Sequence, residues 1–247
     1  MPMTSPKPTS RAAVVLAAAL AFSMAACAQE EQSATENAAA PAGEDAETIV
    51  LAQADEVAPA ADADAETTMI NVPSGTYTLD KTHAYLTFTY SHLGFSRPVL
   101  AFRDFDATIN FDADNPANSS VSATINVDSV DTGVGDVSEF EEHIRDERFL
   151  DTATSPTATF ESTAVAVTGE NTGTVTGDLT IRGTTLPVTL DVVLRKADEH
   201  PMRRTSALGF SASTTINRSD FGAGAFTPNV SDEVEISFEG EFALASD

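Results

Sequence analysis

The residues of this chain that could do chemistry are few and poorly grouped. Its 247 residues hold four histidines, His83, His92, His143 and His200, and one cysteine, Cys27. A transition-metal site gathers imidazole, thiolate and carboxylate ligands, often at a spacing such as H-x-x-x-H. No two of these histidines have that spacing, and one cysteine supplies no thiolate pair. His83 and His92 flank one apolar run with opposite parity, so an extended chain directs them to opposite faces. No G-x-S-x-G elbow, Walker loop or G-x-G-x-x-G follows a strand and opens a helix. The glycine-rich FGAGAF at 221–226 has no helix behind it and reads as a loop between strands. Carboxylates number 38, so chance pairs abound and none marks an acid/base dyad. The expectation is a protein without catalytic residues, metal ligands or cofactor, and not an enzyme.

A lone cysteine cannot close an internal disulfide, so its neighbours decide its use. Lys7 and Arg11 precede the apolar run AAVVLAAALAF (12–22), which is short of the roughly 20 residues of a membrane-spanning helix. A basic start, a short apolar core and small residues after it form a secretory signal. Met24-Ala25-Ala26-Cys27 resembles a bacterial lipobox, in which the cysteine is acylated and becomes the new N-terminus. Ala26-Cys27-Ala28 also fits the A-x-A cleavage pattern, which would discard the cysteine. The first reading makes Cys27 a lipidation site and the protein membrane-anchored; the second makes it soluble and periplasmic.

From Ala28 to Ile70 there are eleven acidic residues and no Lys or Arg. The segment lacks aromatics and cannot bury enough apolar surface to offset its ordering entropy. It reads as a disordered tether spanning on the order of 35 Å or more. The organisation is therefore a signal over 1–26, a tether over 27–70 and one folded domain over 71–247. That domain carries 27 acidic against 11 basic residues. Such a charge excludes a nucleic-acid footprint, which is basic, and opposes electrostatic adsorption to anionic lipid.

The elements that would have to position any site are strands. Apolar residues alternate with polar ones in 85–90, 121–128, 175–181, 186–194, 208–216 and 234–244, the two-residue period of a half-buried strand. Two further runs, 99–111 and 157–167, complete eight; the second loses parity after Phe160, as a bulge would make it. One buried face on every strand means an antiparallel sheet, and eight such strands close as a barrel or pack as a two-sheet sandwich. VSEFEEHIRDERFL (137–150) breaks the pattern with Phe140 and Ile144 one helical turn apart, a short helix inserted between strands. The inward faces carry Phe88, Tyr90, Phe105, Ile125, Phe160, Leu190, Phe210 and Phe238. On residue type alone these are either filled core or the lining of a cavity for one small ligand.

GTYTLDKTHAYLTFTYSHLG (75–94) resembles the opening of the YceI-like, polyisoprenoid-binding family of bacterial exported proteins. The likeness continues through FRDFDATINFD, HIRDERFLDTATSPTATFES, VTGDLTIRGTTLPVTLDV, GFSASTTINRSDFG and SDEVEISFEGEF, covering nearly all of 75–244 in order. It implies an all-β fold, an extended eight-stranded antiparallel lipocalin-like barrel. It also implies a long isoprenoid or similar lipid along the barrel axis, such as a quinone or a polyprenyl phosphate. The apolar residues above then become ligand-lining, and Arg97 and Arg103 become candidates for the head group. Asn217, Arg218, Ser219 and Asp220 are expected instead to fix a turn through side-chain to backbone bonds. The expected partners are that lipid and, through Cys27, a membrane; a homodimer is an open alternative. Competing functions are an enzyme acting on a lipid or quinone, and a filled barrel that only docks a partner.

Overall fold

A computed structural model describes residues 70–134 and 138–246. The expected secretory signal, Cys27 and the expected acidic tether lie outside these residues. The alternating runs form strands β1 (Gly75–Thr89), β2 (Val99–Phe102), β3 (Phe105–Phe111), β4 (Ser120–Asn126) and β5 (Val130–Asp131). Helix α1 (Ser138–Arg145) follows, then β6 (Thr157–Val167), β7 (Thr172–Ile181), β8 (Thr184–Glu199), β9 (Ser206–Asn217) and β10 (Glu233–Leu244). Every pairing between them is antiparallel. The order β10-β9-β8-β7-β6-β4-β3-β1 closes on itself through β1 and β10, so eight strands make a barrel. Closure rather than a sandwich leaves no free edge among these eight strands.

The run 99–111, expected as one strand, is two. The break falls at Arg103 and Asp104, whose backbone N–H groups donate to Ser129 Oγ at 3.1 and 3.0 Å. A serine side chain thus takes the donors that a continuous ladder would use. β2 pairs with the second half of β1 and with β5, whereas β3 pairs with the first half of β1. β1 begins ten residues before the expected 85–90. Its own register against β10 shifts between Leu79 and Ala84, so Asp80–His83 bulge outward and hide the alternation. The expected irregularity after Phe160 is a register shift between Ser162 and Ala164. A second follows Leu194 on β8. Bulges of this kind bend and twist a strand, which a small barrel requires.

The two ends of the barrel differ. The hairpin end carries the connections 112–119, 168–171 and 200–205, together with the chain around Ile70. Tyr77, Ile109, Leu208 and Phe242 pack there around the fully buried Ala197. The opposite, loop end carries 90–98, 132–156, the Arg182-Gly183 turn and 218–232. Arg182 and Gly183 both have positive φ, 52° and 74°, the signature of a tight hairpin turn. Helix α1 has Glu139 and Glu141 in its first turn and Arg145 in its last, each sign matching the helix dipole. Its Phe140 and Ile144 pack on Tyr90, Leu100 and Val234, which holds the helix at the loop end.

Candidate binding cavity

Inward-facing side chains do not fill the barrel. They enclose a cavity of about 750 Å³ whose wall is mostly apolar. Phe88, Tyr90, Phe105, Ile125, Phe160, Leu190, Phe210 and Phe238 all line it. They come from or directly follow seven different strands, and the two-residue period is what turns each of them inward. Phe105, Ile125 and Phe160 are buried; Phe88, Leu190, Phe210 and Phe238 are only half-buried. The aromatic rings brace one another. Phe88 stacks on Phe102 at 5.2 Å between centroids, and Phe105 meets Phe238 edge-on at 6.3 Å. Phe238 also lies against its own strand, where a Cβ on Gly240 would come within 2.4 Å of the ring. Lining and core are therefore one set of residues.

Polar residues line both ends, Ser119, Ser120, Glu170 and Asn171 at the hairpin end and His92, His143, Arg218 and Asn229 at the loop end. Arg218 lines the cavity and donates from Nε to Ser231 O at 2.8 Å and from Nη2 to Val230 O at 2.9 Å. It also donates from Nη1 to Ala223 O. Ser219 holds Asp232 through its N–H at 2.8 Å and its Oγ at 2.5 Å. Arg218 and Ser219 thus fix the loop before β10, Arg218 stapling 223–231 by backbone carbonyls, whereas Asn217, expected to share this role, makes no side-chain cap bond. Burial pulls the Arg218 guanidinium below its ordinary value, against the pull of Asp232 and Tyr90. Burial pushes the Tyr90 phenol up, with Arg218 opposing it. His143, Phe149 and Phe226 form a mutual ring cluster, Phe149 stacked on Phe226 at 5.8 Å and His143 tilted against them at 4.9 and 6.3 Å, and all three line the cavity.

Arg97 and Arg103, expected at the head group, do not line this cavity. Arg97 pairs with Glu235 at 2.7 Å and Arg103 with Asp131 at 2.7 Å, both on the outer surface. Arg103 sits at the β2–β3 break and lines a separate pocket of about 200 Å³ with Lys81. Of the lining residues outside the expected set, some, such as Phe102, Ile109, Leu179 and Phe242, stand on strands, whereas His92, His143, Phe149, Arg218 and Phe226 stand on loops or short helical turns where no two-residue period speaks. Only the isolated aromatic of FGAGAF and the FL pair after α1 offered any signal.

The β1 bulge gathers a second cluster. Asp80, His83 and Glu241 place ligand atoms within 4.8 Å of one another. Asp80 Oδ2 lies 2.7 Å from His83 Nδ1 and pairs with Arg203. His200 Nε2 approaches Glu241 at 3.7 Å while its Nδ1 accepts the Met202 and Arg203 N–H groups at 3.3 and 3.2 Å. A neutral His200 that accepts at Nδ1 carries its proton on Nε2 and has no lone pair there for a cation. Burial raises the Asp80 carboxyl, but hydrogen bonds from His83, Thr82 and Arg203 outweigh it and hold the group well below the usual range. The chemistry of this set is an ion-pair clasp between the bulge and the 200–205 hairpin.

The same barrel occurs in solved proteins. Burkholderia cenocepacia BcnA superposes with a TM-score of 0.59 at 29% identity, covering 66% of this chain and 98% of that one. In sequence, a UPF0312 protein of Ectopseudomonas mendocina is 42% identical over 168 residues, 66% of this chain and 86% of that protein. Protein YceI of Escherichia coli is likewise 42% identical over 168 residues, 66% of this chain and 85% of its own length. The YceI-like domain model matches residues 77–242, from the first inward tyrosine of β1 to the inward Phe242 of β10. By this match, which spans the barrel and its cavity, the chain belongs to the YceI-like domain family.

Proposed function

We propose that the barrel binds a long-chain isoprenoid lipid, a quinone or a polyprenyl phosphate, and carries or sequesters it in the periplasm. The observation that supports this reading is the cavity of about 750 Å³ lined by aromatic and aliphatic side chains from seven strands. That volume lies within the 300–1,000 Å³ of small-ligand sites. Each buried CH₂ contributes about 0.8 kcal/mol, so ten methylenes supply about 8 kcal/mol without any directional contact. The reading needs no reacting groups, and the polar groups at the loop end serve to orient a head group. A secretory signal and an acylated Cys27 would place the carrier at the periplasmic face of a membrane.

Native mass spectrometry of the full chain purified from its own host tests this. One lipid of defined mass per barrel is the expected result. A barrel that is empty in repeated preparations, and that takes up no ubiquinone or polyprenyl phosphate offered to it, would overturn the proposal.

A further inference from the structure

Phe95 is 91% exposed, although its neighbours are ordered by hydrogen bonds. It stands at the tip of a tight turn: Phe95 N–H donates to His92 O at 3.0 Å, and His92 N–H donates to Ser96 O at 2.9 Å. Leu93 and Gly94 both have positive φ, 55° and 73°. Glycine adopts this conformation freely, but for leucine it is unfavourable. The turn therefore holds Leu93 and Phe95 outward in a fixed geometry. A second loop joins it. Leu93 N–H donates to Asn229 O at 2.9 Å and Ser231 N–H to Ser91 O at 2.9 Å. That second loop carries Phe226, also outside its ordinary backbone region at φ 63° and 53% exposed.

Leu93 and Phe226 also line the cavity. The apolar wall thus reaches the outer surface at the loop end, as it does through Ile70 and Val167 at the hairpin end, but only the loop end adds a nearly fully exposed aromatic, Phe95, beside it. Resting on the lipid-binding reading above, we infer that this tip is a docking surface for the lipid bilayer, through which the bound chain enters and leaves. An isoprenoid passing through water would expose every methylene at a cost of about 0.8 kcal/mol each. Seating the tip in the acyl boundary removes that exposure at the portal.

Two other occupants fit less well. The tip offers a Leu and two Phe side chains, each at most about 150–250 Å² of area, whereas a stable interface takes about 800 Å² per partner. A second copy would also bring one surface of 27 acidic and 11 basic residues against another. The same acidity disfavours anionic head groups, and nearby Arg97 is already paired with Glu235. The bilayer it fits is zwitterionic.

The test uses the full chain with Cys27→Ser, so that no anchor contributes, and phosphatidylcholine vesicles carrying ubiquinone-10. Co-sedimentation with the vesicles and the rate of quinone uptake are measured for this protein and for Leu93→Asp/Phe95→Asp. Aspartate tolerates the left-handed conformation at 93, and Phe95→Asp alone, at an exposed tip, guards against misfolding. Both variants should bind vesicles and take up quinone more slowly, the double variant by at least about tenfold, because burying one Leu or Phe is worth about a factor of ten or more. Final occupancy of Phe95→Asp, whose side chain does not line the cavity, should not change. Replacing a third of the lipid by phosphatidylglycerol should weaken co-sedimentation. Equal rates and equal co-sedimentation in the variants overturn the docking surface, as does a dimer that the variants convert to monomer. If no protein ever acquires quinone, the lipid-binding reading fails, and co-sedimentation still decides the docking surface.

Discussion

The ring of Phe160 on β6 lies against the backbone of Gly177 on β7, where a Cβ would come within 2.5 Å of the ring and 2.6 Å of Glu161 O. Glycine at 177 lets this ring lie flat on the barrel wall rather than project across the cavity. Gly177→Ala must move the ring inward or part the two strands. Overpacking of this kind costs about 1–3 kcal/mol, and for a domain of this size roughly 2–4 °C of thermal midpoint per kcal/mol. A lower midpoint with reduced lipid occupancy by native mass spectrometry is expected. An unchanged midpoint would mean the ring has free space that this geometry denies.

Phe88 and Phe210 face the cavity from β1 and β9, both half-buried. A charge at either position is desolvated by any lipid that fills the barrel. Phe88→Asp and Phe210→Asp are expected to retain no lipid while their far-UV dichroism stays that of the wild type. Folded variants with full occupancy would remove these side chains from the site.

Arg97 and Arg103 sit in ion pairs with side chains 65% and 60% exposed, away from the cavity. Exposed pairs contribute about 0–1 kcal/mol. The double variant Arg97→Ala/Arg103→Ala should bind polyprenyl phosphate and quinone as the wild type does. A selective loss of the phosphate ligand, measured by competition between the two, would return these arginines to the head group.

Asp80 is 9% exposed and holds its carboxylate against Arg203, Thr82 and His83. Its folded pKa is depressed, so its contribution is present above the unfolded value near 3.8 and is lost as pH falls through the folded one. Asp80→Asn should cost about 1–2 kcal/mol at neutral pH, solvent around the 40% exposed Arg203 keeping the figure low. The gap between wild type and variant should narrow as pH drops below about 4. Thermal melts of both proteins from pH 7 to pH 2 check this, and a gap independent of pH would show that the clasp is not electrostatic.

If Cys27 is acylated, the tether separates anchor from barrel. Cys27→Ser should move the protein out of a washed membrane fraction and leave its thermal midpoint unchanged. Intact mass of the wild type checks the premise: an N-terminus at Cys27 with diacylglycerol-sized added mass is expected. A mature chain that begins after Ala28 would mean the cysteine is discarded.

Strand parity is a local property, and the sequence alone determined it. Alternation at 121–128, 186–194, 208–216 and 234–244 sets which side chains face inward, and the lost parity after Phe160 marks its bulge. Eight antiparallel strands and their apolar inward faces follow from that period, and the short helix from where it breaks. Only the tertiary structure decided the rest, because it depends on partners distant in the chain. Ser129 breaks the 99–111 run from 25 or 26 residues away. Arg97 finds Glu235 across 138 residues and leaves the head-group role unfilled. His143, Phe149 and Phe226 cluster at the cavity's end from a helix and two loops. Phe95 reads as one more apolar residue beside a strand, and its exposure emerges only when the turn at 92–96 and its backbone bonds to 229–231 are formed. Whether an inward face is filled or hollow turns on the circumference at which the strands close, and no short stretch of sequence carries that length.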